Sequence, residues 1–458
     1  MSNNVPALDR RALMLAACVV LLSRVPWLGH DFGSDPDSYR IVATGRLLAR
    51  TGTYQASRLP GYPVYEYLSA LSANSPAWVS NATTALFSVA AFVLFALILH
   101  ALQVRRYLLL AFGFAMVPAI YVNSCCTMDY IPALAFMLAA TYAVVRQRPL
   151  VAGLLLGLAV GCRITAGALV LPLCLWLMLS LGSRRAWLPC LKFGLTTAAV
   201  SALCFVPVYR VYGLGFFSFF DNDGYPPLDV VFARATTLVW GQIGFVALLA
   251  LTVAVPTYAG YARRMLQQPV TQPALVAALT AVALYLVAFA RLPDESGYLI
   301  PMVPWVLVIA ALLVPSWAAI SLSAALVLSP WLAFHGARLT LEGAMVEDHL
   351  VRESQDDASR AIISAVSKLA GRATVVSGWV LPRITLKLNG DRLGEHQFVY
   401  LVEDDDDYRR YLAQGRQIYY LPGVDVYESQ AHQLELSELG ARQLDVPRER
   451  HRPVSTGE

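Results

Sequence analysis

The chain has 458 residues, 57% of them hydrophobic and only 14% charged, with a formal net charge of +4 and a mean hydropathy of +0.54. A soluble domain carries about 25% charged residues, so most of this chain is expected to face lipid. The small net charge, with lysine confined to Lys192, Lys368 and Lys387, offers no nucleic-acid surface.

A membrane span needs about 20 apolar residues to cross roughly 30 Å of hydrocarbon. Eleven candidates follow in order, near residues 11–28, 77–101, 107–124, 129–145, 149–161, 164–181, 187–208, 239–261, 273–290, 298–314 and 317–335. The run Leu15-Ala16-Ala17-Cys18 mimics a lipoprotein cleavage box. The apolar stretch before it is shorter than the usual signal core of about 7–15 residues, so the first span reads as uncleaved. The fifth candidate is short and runs almost directly into the sixth, as a pair of partial or tilted helices. Arginine doublets orient the set. Arg10-Arg11, Arg105-Arg106, Arg146 with Arg148, Arg184-Arg185 and Arg263-Arg264 all fall on one side, the cytoplasmic one by the positive-inside rule. Residues 29–76, 125–128, Arg163, 209–238, 291–297 and everything after 336 are then expected outside.

The first outer loop, 29–76, is far longer than an ordinary connection and is expected to be functional. Ile41, Ala43, Leu47 and Leu48 within Asp37–Arg50 suggest an interfacial amphipathic helix. A rigid turn, Leu59-Pro60-Gly61-Tyr62-Pro63, leads into a second short helix, Val64 to Leu71. All seven cysteines precede residue 205 without zinc-ligand spacing. The adjacent pair Cys125 and Cys126 reads as apolar filler rather than a redox couple. Asn81-Ala82-Thr83 fits a glycosylation sequon but abuts a span.

From about Ala337 the sequence turns polar. Helix is expected over 347–371, strand over Ala373–Ser377, then helix, strand over Gln397–Val402, helix over Asp404–Gln414 and strand over Gln417–Leu421. Alternating strands and helices imply a small α/β domain, 337–458, after a transmembrane domain, 1–336. The acidic run Asp404–Asp407 is read as helix-capping chemistry rather than a metal site.

Spans that carry polar traffic usually hold buried ionisable residues; here charges gather at the outer ends, which favours an enzyme at the outer surface. Asp35 and Asp37, two residues apart, can supply a general base, although Asp35 before Pro36 is also a good helix cap. Arg58 on its stiff turn can hold a phosphate or meet lipid headgroups. Asp129, beside Tyr130 at the outer start of the fourth span, reads as a site residue or as a helix-dipole partner. Arg163, between the two half-length helices, can approach an anionic headgroup closely. Glu295 and Tyr298 add a further outer cluster. The 209–238 loop, with Asp221, Asp223 and Arg234, could form a lid whose Phe216-Phe217 and Phe219-Phe220 dip into the interface.

Together these motifs resemble the GT-C class of glycosyltransferases. The class includes protein O-mannosyltransferases, the lipid A aminoarabinose transferase and mycobacterial arabinosyltransferases. The resemblance rests on the first-loop Asp followed by Tyr39, Gly52 and the Arg58–Pro60 turn, with Asp129 opening the fourth span. Arg163-Ile-Thr at a helix break and Glu295…Tyr298-Leu-Ile-Pro301 complete it, over roughly residues 12–335. It implies a polytopic helical membrane protein with a polyprenyl-phosphate sugar donor and an acceptor hydroxyl on a protein or glycan. The sugar, a pentose such as arabinose or a hexose, is then transferred by a single inverting displacement on the periplasmic face of a bacterial inner membrane. By that resemblance Asp35 is the leading base and Asp37 the second choice. Arg58 and Arg163 hold the donor phosphate, and Tyr39, Tyr62, Asp129, Glu295 and Tyr298 line the substrate pocket. Many relatives have a second acid where this chain has Pro36, which leaves a divalent cation open. The rival readings are a lipid-linked glycan flippase, an O-antigen polymerase or ligase, and a sensor that uses the outer domain.

Overall fold

The computed structural model describes residues 8–220, 225–388, 393–400, 405–422, 426–428, 433–435 and 440–447. Helix starts follow the capping chemistry of the sequence. Asp9 caps α1 (Arg10–Arg24), its side chain accepting from the Ala12 amide at 3.0 Å. Asp35 and Pro36 open α2 (Pro36–Thr51), which Gly52 ends in the left-handed region at φ +68°, a conformation glycine adopts without strain. Pro63 opens α3 (Pro63–Ala70).

The apolar helices follow: α4 (Ala77–Ala101), α5 (Tyr107–Ala115), α6 (Pro118–Asn123), α7 (Tyr130–Val145), α8 (Pro149–Cys162), α9 (Val170–Leu181) and α10 (Ser183–Tyr212). After them come α11 (Leu228–Ala235), α12 (Thr237–Ala254), α13 (Ala259–Leu266), α14 (Thr271–Arg291), α15 (Val303–Leu313) and α16 (Ser316–Leu328). Each of the eleven apolar stretches contains helix. Among the described residues, six helical stretches are long and apolar enough to cross a membrane, and Tyr130–Val145, Pro149–Cys162 and Ser316–Leu328 are shorter apolar helices. The third stretch is two helices rather than one, because Pro118 cannot donate to the carbonyl ladder and the chain restarts at α6.

Small residues set the closest crossings. Gly153, Gly157 and Gly161 recur every fourth position on one face of α8. A side chain there would meet the Phe193 carbonyl at 2.7 Å, Val200 Cβ at 2.5 Å and Cys204 Cβ at 2.9 Å on α10. Such a stripe lets two backbones approach, as small-residue faces do in membranes. Gly45 does the same between α2 and α3, where a Cβ would lie 2.4 Å from Ser69 Oγ.

Beyond α16 come a hairpin, β1 (Ala333–His335) with β2 (Arg338–Thr340), and the long helix α17 (Ala344–Ser367). The chain continues through β3 (Arg372–Val376), α18 (Leu381–Lys387), β4 (Gln397–Val399), α19 (Asp405–Ala413) and β5 (Arg416–Tyr420). Next are β6 (Val426–Glu428), β7 (Gln433–Glu435) and β8 (Arg442–Gln443). β6 and β7 pair antiparallel. The other four strands form a parallel sheet in the order β4-β3-β5-β8, the geometry that helical crossovers produce. Ile362, Val366, Val375 and Ile384 pack in one core on it.

The 213–220 segment forms 3-10 turns rather than a free loop. Phe216 does not dip outward: it is buried and stacks on Phe205 at 5.7 Å, while Phe217 is exposed. Arg234 donates to the Pro293 carbonyl at 2.9 Å. The side chains of Phe219, Asp221 and Asp223 lie outside the described residues. Asn81 is fully buried. It donates to the Leu28 and Asp31 carbonyls and accepts from Thr127, so its sequon is part of the packing.

Candidate active site

At one end of the helices, four elements each contribute one charge to an alternating ladder. Asp37, in the first turn of α2, accepts from Arg58 Nε at 2.8 Å and from Arg40 Nη1 at 3.2 Å. Arg58, on the turn before α3, also donates through Nη2 to Asp129 at 3.0 Å. Asp129 precedes α7, and its other oxygen accepts from Arg163 Nη1 at 2.7 Å. Arg163 occupies the break after α8 in an extended conformation (φ −153°, ψ 120°), which turns its side chain off the helix axis. Asp129 is fully buried and makes no cap hydrogen bond to α7. Its carboxylate is therefore committed to the two arginines, not to the helix end.

Aromatic rings enclose the cations. Arg58 lies 4.2 Å from the Tyr62 ring centre. Arg163 sits 3.8 Å from Tyr130, 5.2 Å from Tyr298 and 5.5 Å from Tyr62. Such contacts favour a guanidinium that has left water. The Tyr130 hydroxyl donates to Glu295, which brings a third carboxylate to the group. Burial disfavours charge on Arg58, but Tyr62, Asp129 and Asp37 around it prevail and raise its pKa. Arg58 Nη1 is buried and has no hydrogen-bond partner among the described residues.

Asp35 behaves differently from Asp37. Its Oδ1 caps α2 by accepting from the Asp37 amide at 2.8 Å, and it makes no ion pair among the described residues. Burial first, then Glu295 and Asp37, push its carboxyl up to about 7, against the pull of that amide and of Arg58. Glu295 is raised as well, by burial and then by Asp37. The outcome is a carboxyl near neutrality beside a second acid, the condition under which a side chain can take a proton at physiological pH.

Of the nine residues expected at the site, eight converge: Asp35, Asp37, Arg58, Tyr62, Asp129, Arg163, Glu295 and Tyr298. Tyr39 does not. It points from another face of α2, packs edge-on to Phe32 at 5.9 Å and lies beneath Arg383 at 5.1 Å. One helical step rotates a side chain by about 100°, enough to carry position 39 away from the face of 37 and 40.

Several participants carry little signal in the sequence. Glu66, fully buried, accepts from the Ser57 amide at 2.7 Å, Ser57 Oγ at 2.6 Å and the Tyr62 amide at 3.2 Å. It thereby folds the Arg58 turn back onto α3; an acid one turn inside a short helix was its one visible cue. From the C-terminal region, Trp379 covers Arg40 at 5.0 Å, with Tyr400 perpendicular to it at 5.4 Å. α17 grips the segment before Asp35. Ser34 Oγ donates to Asp348 at 2.6 Å, Gln355 donates to the Ser34 carbonyl at 3.1 Å, and Arg352 donates to the Cys125 carbonyl at 3.0 Å. Asp348 and Arg352 are themselves paired at 2.7 Å and buried.

No three His, Cys, Asp or Glu side chains among the described residues are grouped as a metal-ligand set. Asp37 is already committed to two arginines, which leaves Asp35 and Glu295.

No family model matches the chain, and no curated protein matches it. Among the solved structures similar to this chain are two membrane proteins. A crystal structure of ArnT from Cupriavidus metallidurans bound to undecaprenyl phosphate aligns with a TM-score of 0.55 at 13% identity, over 93% of this chain and 97% of that one. A single-particle cryo-EM structure of the arabinofuranosyltransferase AftD from Mycobacteria aligns with a TM-score of 0.51 at 19% identity, over 82% of this chain. This chain spans about 30% of AftD's length. Both are GT-C glycosyltransferases, and at these identities the likeness shows a shared fold.

Proposed function

We propose that this chain is a membrane glycosyltransferase that moves a sugar from a polyprenyl-phosphate donor onto an acceptor hydroxyl. In this reading residues 1–336 form the catalytic membrane domain with about eleven spans. Residues 337–458 form an outer α/β domain, and the site opens on the periplasmic face of a bacterial inner membrane. Asp35 accepts the acceptor's proton as its oxygen attacks the anomeric carbon, and the bond from that carbon to the phosphate oxygen breaks with inversion. The leaving phosphate gains negative charge, which a fixed cation in a dry site stabilises strongly.

One observation carries the proposal. A carboxyl poised near neutrality stands beside a half-buried arginine whose buried Nη1 has no hydrogen-bond partner among the described residues. A base and a phosphate-binding cation side by side are what this displacement requires. Arg163, held by Asp129 and three rings, is assigned a different part: it fixes Asp129, and so Arg58, in place. Asp37 neutralises Arg58 and Arg40 rather than acting as base. The likeness to ArnT, a structure bound to undecaprenyl phosphate, supports the lipid carrier.

The test is turnover by purified protein with polyprenyl-phosphate sugars and a panel of protein and glycan acceptors. Asp35→Asn keeps the α2 cap, because an amide oxygen can still accept, and is expected to lower transfer by about 10²–10⁴-fold, the usual contribution of a general base. Near-normal turnover in Asp35→Asn would leave that residue as a cap alone. Transport of the intact lipid-linked sugar without hydrolysis or transfer would favour the flippase.

A further inference from the structure

The parallel sheet β4-β3-β5-β8 reverses its winding at β3. From β3 the chain crosses through α18 to β4 on one side, then returns through α19 to β5 on the other. The two crossovers cover opposite faces. Val375 shares a core with Ile384 of α18, whereas its neighbour Val376 shares one with Tyr408 of α19. In open α/β sheets, ligands bind outside the carboxyl ends of the strands where the winding reverses. Here that place is the end of β3, which runs into Ser377-Gly378-Trp379.

The Ser377 amide donates to the Val399 carbonyl at 2.9 Å and the Gly378 amide to the Tyr400 carbonyl at 2.8 Å, so β3 and β4 stay joined up to their rim. Gly378 turns there at φ +51°, a conformation that suits glycine. Trp379 then emerges 61% exposed, although tryptophan is highly buried on average. This rim is docked on α2. The Trp379 ring lies 5.0 Å from the Arg40 guanidinium and perpendicular to Tyr400 at 5.4 Å. Arg40 in turn pairs with Asp37 at 3.2 Å. Arg40 is five residues from Asp35, about 7.5 Å along the helix at 1.5 Å per residue. That is roughly a monosaccharide's length from the carboxyl that takes the acceptor's proton, and the open indole lies against it.

We propose that Trp379 forms an acceptor subsite: its indole stacks a sugar ring of a glycan acceptor and so presents a hydroxyl of that glycan to Asp35. The reaction in this statement rests on the transferase reading; the binding does not. An indole face carries the negative lobe of the ring's quadrupole. The weakly positive C–H groups on one face of a pyranose or furanose complement it. Fixing an indole immobilises only two side-chain torsions, so it orders a ligand at small entropic cost. A peptide acceptor would instead seek backbone hydrogen bonds along a strand edge. Trp379 lies beyond the end of β3, where it offers a ring face and no ladder.

The experiment is isothermal titration of the full chain, without donor and in a detergent that has no sugar headgroup. The titrants are arabinopentaose, mannopentaose and a serine-containing peptide. Wild type is expected to bind at least one of the oligosaccharides and not the peptide. Trp379→Leu should weaken that binding roughly tenfold or more, the scale for losing a central aromatic contact, and Trp379→Phe should keep most of it. Trp379 is exposed, so both variants leave the fold intact, and an unchanged melting temperature checks this. Leucine keeps apolar surface for a bilayer but has no ring face. Oligosaccharide binding that survives Trp379→Leu therefore overturns the proposal, as does a wild type that binds neither oligosaccharide. Peptide binding with the same Trp379 dependence would assign the rim to a protein acceptor and overturn the glycan. None of these readouts needs turnover. A chain that binds oligosaccharide through Trp379 yet transfers no sugar would sink the transferase reading and leave the glycan site standing.

Discussion

Asp35 caps α2 through Oδ1 while burial, Glu295 and Asp37 hold its carboxyl up near 7. A general base works in its ionised form, so a raised pKa costs activity on the acid side. Transfer is expected to rise with pH through 7 and to fall about tenfold for each unit below it. Glu295 is the largest charge acting to raise Asp35 after burial. Replacing it with glutamine removes that repulsion and keeps an oxygen to accept from Tyr130. The acid limb of kcat/KM in Glu295→Gln is therefore expected to move to lower pH, by roughly one unit for a close like-charged neighbour. A pH–rate profile reads this directly; a limb that stays put, or moves up, means the base titrates elsewhere. Asp35, Asp37, Arg58, Asp129, Arg163 and Glu295 were legible in the sequence for one reason. In a chain with 14% charged residues, a charge at the end of an apolar helix stands out. Their pairing was not legible, because it depends on how α2, α7 and the α8 break face one another. Tyr39 shares the motif but not the face.

α17 acts on the site without reaching it. Its positions 348, 352 and 355 recur at helical spacing and meet Ser34 and the Cys125 carbonyl, so one helix face pins the segment that leads into Asp35. Nothing in the sequence flags this, since Ser34 and Asp348 are 314 residues apart and an ion pair within a polar helix looks like ordinary surface chemistry. Removing Asp348 would strand buried Arg352, a loss of about 3–5 kcal/mol, and would confuse misfolding with misplacement. Gln355→Ala is the cleaner probe. It removes one hydrogen bond, about 1 kcal/mol of stability, and frees the Ser34 carbonyl. The expected signature is a several-fold lower kcat with little change in donor KM, since a base displaced by about 1 Å can cost up to 10²-fold. A rise in donor KM at unchanged kcat would mean that α17 serves binding rather than placement. The helices themselves were well marked by proline, Asp caps and apolar length. The split at Pro118 was marked by the proline itself, whereas the parallel strand order β4-β3-β5-β8 follows from packing that no local signal carries.

For the whole molecule, the argument turns on which groups share an end. The first loop, Asp129, Arg163, Glu295, α17 and Trp379 come together through direct contacts, although they are scattered from residue 34 to residue 379. The segments carrying Arg105-Arg106, Arg146 and Arg184-Arg185 lie at the opposite ends of the helices that lead to those groups. α4 runs from the first loop to the Arg105 turn, α7 from Asp129 to Arg146, and α9 from the Arg163 break to Arg184. Positive charge near span ends is held on the cytoplasmic side, so the carboxylate end should be extracytoplasmic, where a lipid-linked sugar rather than a nucleotide sugar is the natural donor. Single cysteines, introduced after the seven native cysteines are replaced by serine or alanine, test this. Lys368→Cys, on the exposed end of α17, and Arg185→Cys, on the exposed start of α10, replace solvent-facing residues at the two ends. In intact spheroplasts a membrane-impermeant maleimide is expected to label Lys368→Cys at once and Arg185→Cys only after permeabilisation. The opposite pattern would invert the protein and put the Asp35 cleft on the nucleotide side, which would remove the reason for a polyprenyl-phosphate donor while leaving the fold as it is. Labelling of both sites in sealed cells would instead break the helix-by-helix alternation on which the span count depends.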